Sequence, residues 1–366
     1  MFAKYRYLPS VLVLLCVAIF ANVADGWQKV SKLPTLRFAK ATPVVDDQIY
    51  LIGGINLDEN LGGSAPPLAR VDVYDALTNT WHTAADMLTP RIGARAAVFS
   101  TDIYVFGGYT RMALRNELRK KIVYTKTVEV YDTRTDTWIK KRDMPTLRRS
   151  FGTAVVDGKI YIIGGSVHNK QLGKQVSTGL VEVYDPLTNR WEQRADMPTK
   201  RGYIDVAVVD DKIYVIGGFI LLEQGLGLRV DRFSRRIEEY NPKTNTWRRL
   251  PDIPTFKYDF STVVVDREIY TIGGYDLDNH DAYLDLVEVY HPAANRWRPS
   301  LPMLTPKVTV AAVANGTIYL LGGRGDGPKG RNEFSPGVEA YDTGFRAIDV
   351  KGKLSTRWGT LKKPNE

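Results

Sequence analysis

The chain has 366 residues, of which 44% are hydrophobic and 25% charged, with a mean hydropathy of −0.23 and a formal net charge of +9. That is the balance of an ordinary globular protein, and the surplus of cations invites acidic ligands, anionic glycans or anionic surfaces. The single cysteine, Cys16, excludes a disulfide framework, and its place near the N-terminus leaves the rest of the chain without a thiolate metal site or a cysteine nucleophile.

At the N-terminus, Lys4 and Arg6 precede an apolar run from Val11 to Ala21. A basic start followed by an apolar stretch too short for a comfortable membrane span predicts an export signal over residues 1–24. Cleavage falls after Ala24 or Gly26, and a membrane is engaged only through an uncleaved signal. Export places the protein in the periplasm, outside the cell or on its surface, and argues against nucleic acid as a partner.

From Trp27 onward one sentence is repeated six times. An Ile/Val-rich stretch ends in Gly-Gly, a Tyr follows, and then a Trp. The doublets begin at Gly53, Gly107, Gly164, Gly217, Gly273 and Gly322, and the tyrosines are Tyr74, Tyr131, Tyr184, Tyr240, Tyr290 and Tyr341. The interval from Trp27, Trp81, Trp138, Trp191 and Trp247 to the next doublet is always 26 residues, and from Trp297 it is 25. Between doublet and Tyr the interval instead varies from 17 to 24 residues. A period of about 50 residues with this content signals a repeat array.

Each repeat reads as four strands. Strand a is a Thr/Ala/Val run such as Thr153 to Val156, and strand b is Ile160 to Ile163 and its equivalents. Strand c is Val-Glu-Val-Tyr, as at Val181 to Tyr184, and strand d carries the Trp. Tight turns such as Asp157-Gly158 and Asn315-Gly316 separate β-branched and aromatic stretches, which is hairpin grammar. No segment between residues 27 and 342 has helical periodicity.

Gly-Gly, Tyr-Asp and Trp at these spacings, with Met-Pro-Thr after the Trp at Met144 and Met197, resemble the kelch repeat family. The resemblance implies an all-β, six-bladed propeller of four-stranded antiparallel blades across residues 27–342. Asn241 and His291 depart from the Asp that usually follows the Tyr. Tyr341 lies 17 residues from Trp358, not the seven seen elsewhere, whereas Trp27 keeps its 26-residue spacing. The N-terminal strand is therefore expected to serve as strand d of the last blade, closing the ring and removing open edges, with closure by Trp358 as the alternative. Residues 343–366 would be a basic tail. One Trp per blade reads as inter-blade packing, with roughly 4–6 kcal/mol of apolar burial each before entropy.

Antiparallel connectivity puts the b-to-c and d-to-a connections on one face and the short turns on the other. Function is expected on the face with the long, individual segments. At the start of each strand a stands a cation: Arg37, Arg91, Arg148, Arg201, Lys257 and Lys307. These six are expected to ring the channel mouth as ligand-binding groups, aided by loop cations Arg111, Arg115 and Arg119 in blade 2 and Arg229 and Arg232 in blade 4. The Asp-rich segment Asp276, Asp278, Asp281, Asp285 lacks the glycine and glutamate of a calcium loop.

Four histidines without metal-binding spacing, and no assigned cofactor, leave little for catalysis. Asp205 and Asp259 are the weak acid/base candidates, equally able to neutralise the cations. The function expected is an exported, monomeric binding module for an acidic protein segment or anionic glycan. The alternative is an acidic-sugar epimerase resembling sialic acid mutarotase.

Overall fold

The computed structural model describes residues 26–57, 66–112, 121–169, 174–224, 227–276, 278, 282–327 and 330–345. The expected export signal and the chain beyond 345 lie outside the described residues. The described elements are all strands, and six sheets have four antiparallel strands in the spatial order a-b-c-d. Blade 1 has strand a at Val44–Val45, strand b at Gln48–Ile52, strand c at Val71–Asp75 and strand d at Thr80–Ala84. In blade 2 they are Arg95–Phe99, Asp102–Phe106, Val128–Asp132 and Thr137–Lys140. Blade 3 uses Gly152–Val156, Lys159–Ile163, Val181–Asp185 and Arg190–Arg194. Blade 4 uses Asp205–Val209, Lys212–Ile216, Ile237–Asn241 and Thr246–Leu250. Blade 5 follows with Ser261–Val265, Glu268–Ile272, Val287–His291 and Arg296–Pro299.

Blade 6 closes the ring as its spacing predicts. Its inner strands are Lys307–Ala314, Thr317–Gly327 and Gly330–Asp342, and its outermost strand is the N-terminal Gln28–Lys32, pairing antiparallel with the third. Trp27 stacks on Tyr341 at 5.2 Å, the contact that Tyr184 and Trp191 make at 4.9 Å within one continuous repeat. Trp27 Nε1–H also donates to Leu301 O at 3.2 Å, as Trp138 donates to Ala85 O at 2.8 Å. Chemically, strand d of blade 6 is the same part as any other strand d. It simply comes from the far end of the chain.

The core is divided into six apolar clusters, one between each pair of neighbouring blades. At three of the seams the c-to-d turn forms a cross-blade staple. Tyr184 donates its hydroxyl to Asn189 Oδ1 at 2.7 Å, and the same oxygen accepts the N–H of Arg142 from the preceding blade at 3.0 Å. Asn189 sits in left-handed backbone (φ 54°), which asparagine tolerates better than most residues. Asp136 and Asn245 repeat the arrangement at the neighbouring seams. The doublets are required by close approach: a Cβ on Gly54 would lie 2.4 Å from Phe38 O.

The variable b-to-c segments are more ordered than a loop reading suggests. In blades 2, 3 and 4 the chain passes the doublet and forms a second hairpin, at Tyr109–Met112 with Lys121–Tyr124, Ser166–Asn169 with Lys174–Ser177, and Phe219–Gln224 with Gly227–Phe233. These hairpins raise a crown on one face. The apolar run at Phe219 belongs to it: Phe219 and Leu221 are buried, and Leu221 N–H donates to Ser177 Oγ of the adjacent hairpin at 2.9 Å.

Candidate functional site

The six cations at the start of strand a do not ring the channel. All are buried, at 0–2% exposure, and each forms an ion pair inside its own blade. The partners are carboxylates of strand c, two residues before the repeat tyrosine. Arg37 meets Asp72 at 2.7 Å, Arg91 meets Glu129 at 3.0 Å and Arg148 meets Glu182 at 2.7 Å. Arg201 pairs with Glu238, Lys257 with Glu288 at 3.0 Å, and Lys307 with Glu339 at 2.9 Å. Other donors serve carbonyls around the glycine doublet, while the Nε of Arg37, Arg91 and Arg148 is buried without an acceptor. Arg148, for instance, donates to Ile162 O, Gly164 O and Leu180 O at 3.1, 3.2 and 2.8 Å.

The physical reason is the doublet itself. Its positive-φ glycines (Gly164 φ 61°, Gly165 φ 95°) take strand b out of the regular ladder and leave carbonyls facing the blade interior. A buried carbonyl needs a donor, and a cation with a fixed carboxylate supplies several. Burial lowers the pKa of all six cations, to about 10 for Arg37, against the opposing pull of each carboxylate. The expected ring of ligand-binding charges is therefore part of the scaffold. The signal that reveals this is in the sequence: an acid two residues before every repeat tyrosine, matching the cations one for one.

Strand alternation then decides what faces the channel mouth. In the two-residue strand Arg148–Arg149 successive side chains point to opposite sides, so Arg148 enters the blade and Arg149 does not. Arg149 lies over the ring of Tyr124 at 5.1 Å and lines a cavity of about 250 Å³ with Phe38, Lys40, Ile92, Tyr203 and Asp259. Its Nε is buried without an acceptor, and the guanidinium makes no ion pair among the described residues.

Deeper in, two ion pairs cross the channel. Lys40 of blade 1 meets Asp259 of blade 5 at 2.8 Å, and Arg95 of blade 2 approaches Asp205 of blade 4 at 3.8 Å. Asp205 also accepts the Thr262 N–H at 2.7 Å. The channel here is a cavity of about 240 Å³ lined by Thr42 and by the strand-a residues Thr153 and Ser261, among others. The two weak catalytic candidates are thus brought into one space, and they do neutralise cations, but Lys40 and Arg95 are the cations concerned. Their environments differ. Burial raises the Asp205 carboxyl, with Arg95 and Lys40 opposing. Burial also pushes Asp259 upward, but the charge and hydrogen bond of Lys40, with Arg95 and Arg324 behind them, bring it below the usual carboxylate range.

An aromatic arc borders the mouth over blades 4 and 5. Tyr203, 41% exposed, stacks on Phe219 at 4.3 Å, and contacts continue through Phe233, Tyr258, Tyr275 and Tyr283 at 4.8–5.5 Å. Tyr203 holds left-handed backbone (φ 53°) while its N–H donates to Ser150 O at 2.8 Å. Of the expected loop cations, Arg115 and Arg119 lie outside the described residues. Arg111 is placed by its backbone in the crown hairpin of blade 2, and Arg229 and Arg232 in that of blade 4.

A family described as the KLHDC2/KLHL20/DRC7 Kelch-repeats domain matches residues 39–274, and the Kelch motif matches residues 257–303. The chain belongs to the kelch-repeat family. Among similar proteins, Kelch-like protein 23 of Homo sapiens is 27% identical over 308 residues, covering 84% of this chain and 48% of the relative. Kelch-like protein terF of Aspergillus terreus is 30% identical over 257 residues, covering 69% of this chain and 54% of the relative. Beta-scruin of Limulus polyphemus is 27% identical over 311 residues, covering 83% of this chain and 31% of the relative. This kelch chain spans about half the length of the curated relatives it matches. Among solved structures, one titled "Structure of YjhT" superposes with a TM-score of 0.63 at 18% identity, covering 84% of this chain and 95% of the other, a likeness of fold alone.

Proposed function

We propose that this kelch propeller is an exported binding module that grips an acidic protein segment at the crowned mouth of its channel and acts as a monomer. The observation that carries the reading is Arg149. A guanidinium without an ion pair among the described residues, flanked by Lys40 and Arg95 and by apolar Phe38 and Ile92, is a binding position for a carboxylate with an apolar neighbour. Lys40 and Arg95 already have carboxylate partners, so an incoming acid competes with Asp259 and Asp205 for them. The N-terminal basic and apolar run supports export.

The test is capture of a library of acidic peptides by the intact protein and by Arg149→Ala. Loss of one charge-assisted contact is expected to weaken the retained peptides by roughly tenfold or more. Equal capture by both proteins would remove Arg149 from the site.

One observation favours a second reading, an acidic-sugar epimerase. Asp205 and Asp259 share one channel, and their environments push the two carboxyls in opposite directions, the arrangement of an acid/base pair. Acceleration of sialic acid mutarotation by the intact protein, abolished in Asp205→Asn, is the outcome this reading expects. No acceleration by the intact protein dismisses it.

A further inference from the structure

The repeat supplies an internal standard for what each seam between blades requires. Three positions recur at every seam: the residue two before strand c, the residue in the chain leaving strand d that lies under the next blade's Trp, and the residue before that Trp. Between blades 1 and 2 they are Ala69, Ala85 and Thr137, and between blades 3 and 4 they are Gly179, Ala195 and Thr246. Small neutral residues therefore satisfy the scaffold. Between blades 2 and 3 all three are cations: Lys126, Arg142 and Arg190.

These three side chains are exposed and have no hydrogen-bond or ion-pair partner among the described residues. Their backbones, by contrast, are fixed. Lys126 O accepts Met144 N–H at 2.9 Å, Arg142 O accepts Trp191 Nε1–H at 3.2 Å, and Arg190 stands opposite Asp185 in the outer ladder. They line one cleft of about 560 Å³ together with Asp143, Pro145 and the half-buried face of Trp191. Three cations against one carboxylate leave the cleft positive. The seam between blades 4 and 5 carries two cations, Arg235 and Arg296, but Arg235 already donates to Pro254 O at 3.1 Å.

We propose that the cleft between blades 2 and 3 is a second binding site, for an anionic glycan bearing sulfate or carboxylate groups. The volume is within the range of about 300–1,000 Å³ typical of ligand clefts. Trp191 and Pro145 offer ring faces to a sugar, and the cations hold its charged substituents from three separate chain segments. The site lies on the outer rim, away from the channel, and the inference is independent of the acidic-segment reading.

The test is calorimetric titration of the full-length protein with a heparin-derived tetrasaccharide, its desulfated form, which keeps the uronates, and maltotetraose. The variant is Lys126→Ala/Arg142→Ala/Arg190→Ala. Its charge-matched control is Lys243→Ala/Arg249→Ala/Arg267→Ala, which removes three exposed cations elsewhere. Saturable binding of at least one charged tetrasaccharide is expected, weakened by about tenfold or more in the cleft variant and within about twofold of the intact protein in the control. Binding should be unchanged in Arg149→Ala, which separates this site from the channel mouth. All three cleft cations are exposed, so the cleft variant should unfold at the same temperature as the intact protein. No saturable binding, equal losses in the two triple variants, or equal binding of maltotetraose would each overturn the proposal.

Discussion

Arg148 and Arg149 are adjacent in the chain and opposite in role. Arg148 is 1% exposed, bonded to three carbonyls and paired with Glu182, whereas Arg149 rests on a tyrosine at the channel mouth with no ion pair among the described residues. The same contrast runs around the ring. One cation per blade closes the blade's own hydrogen bonds, and the residue after it faces the mouth as Phe38, Ile92, Arg149 or Tyr258. A cation at the repeating position is therefore scaffold, and the residue after it is free to differ from blade to blade. What decides a cation's use is whether its charge already has a carboxylate partner.

The largest effects should come from breaking the buried half of this comparison. Glu182→Ala leaves Arg148 as an uncompensated buried charge and should cost about 3–5 kcal/mol in urea unfolding. Replacing both partners with apolar residues, as Arg148→Met with Glu182→Leu, should recover much of that loss, although the carbonyls served by Arg148 limit the recovery. Trp27→Ala removes the residue that completes the last blade and should cost about 3–5 kcal/mol, as any core Trp would. A loss below about 1 kcal/mol would mean that the N-terminal strand does not close the ring.

A smaller effect is expected at the seam staple. Tyr184→Phe removes the donor to Asn189 and should cost about 1 kcal/mol. Tyr74, Tyr184, Tyr240 and Tyr290 are pushed up to about 12, by burial first. A folded-state pKa above the unfolded value means that their contribution is complete below pH 10 and is lost as pH rises toward 12. The phenolate absorbance of Tyr184, read as the difference between the intact protein and Tyr184→Phe, should therefore appear only as the ring loosens, and ionisation of this residue near pH 10 in folded protein would contradict its burial. The smallest effect belongs to the channel pairs, whose side chains are 15–30% exposed. Lys40→Met should change stability by only about 0–1 kcal/mol while altering peptide capture.

Much of the fold was legible because spacing is conserved by packing. The constant 26 residues from Trp to Gly-Gly reflect a fixed path from strand d to the next blade, and Trp27 could be assigned to the last blade on that count alone. The crown was half legible. Interval lengths showed where variation sits, but not that four of the segments continue as hairpins, those of blades 2, 3, 4 and 6, because a pair of short strands leaves no period distinct from a polar loop. The site was legible only in its acids. Asp205 and Asp259 were found, while their partners Lys40 and Arg95 fall at unequal distances after Arg37 and Arg91 and carry no repeat signature. The six repeating cations drew attention because they repeat. Repetition marks what every blade needs, and every blade needs its carbonyls satisfied.

The division between scaffold and mouth is tested most directly by unfolding Arg148→Ala and Arg149→Ala in urea side by side, with acidic-peptide capture measured on the same two proteins. Arg148→Ala should lose about 3–5 kcal/mol, and Arg149→Ala should lose less than about 0.5 kcal/mol while capture falls by roughly tenfold. Similar stability losses in both, or capture lost only with Arg148, would contradict it.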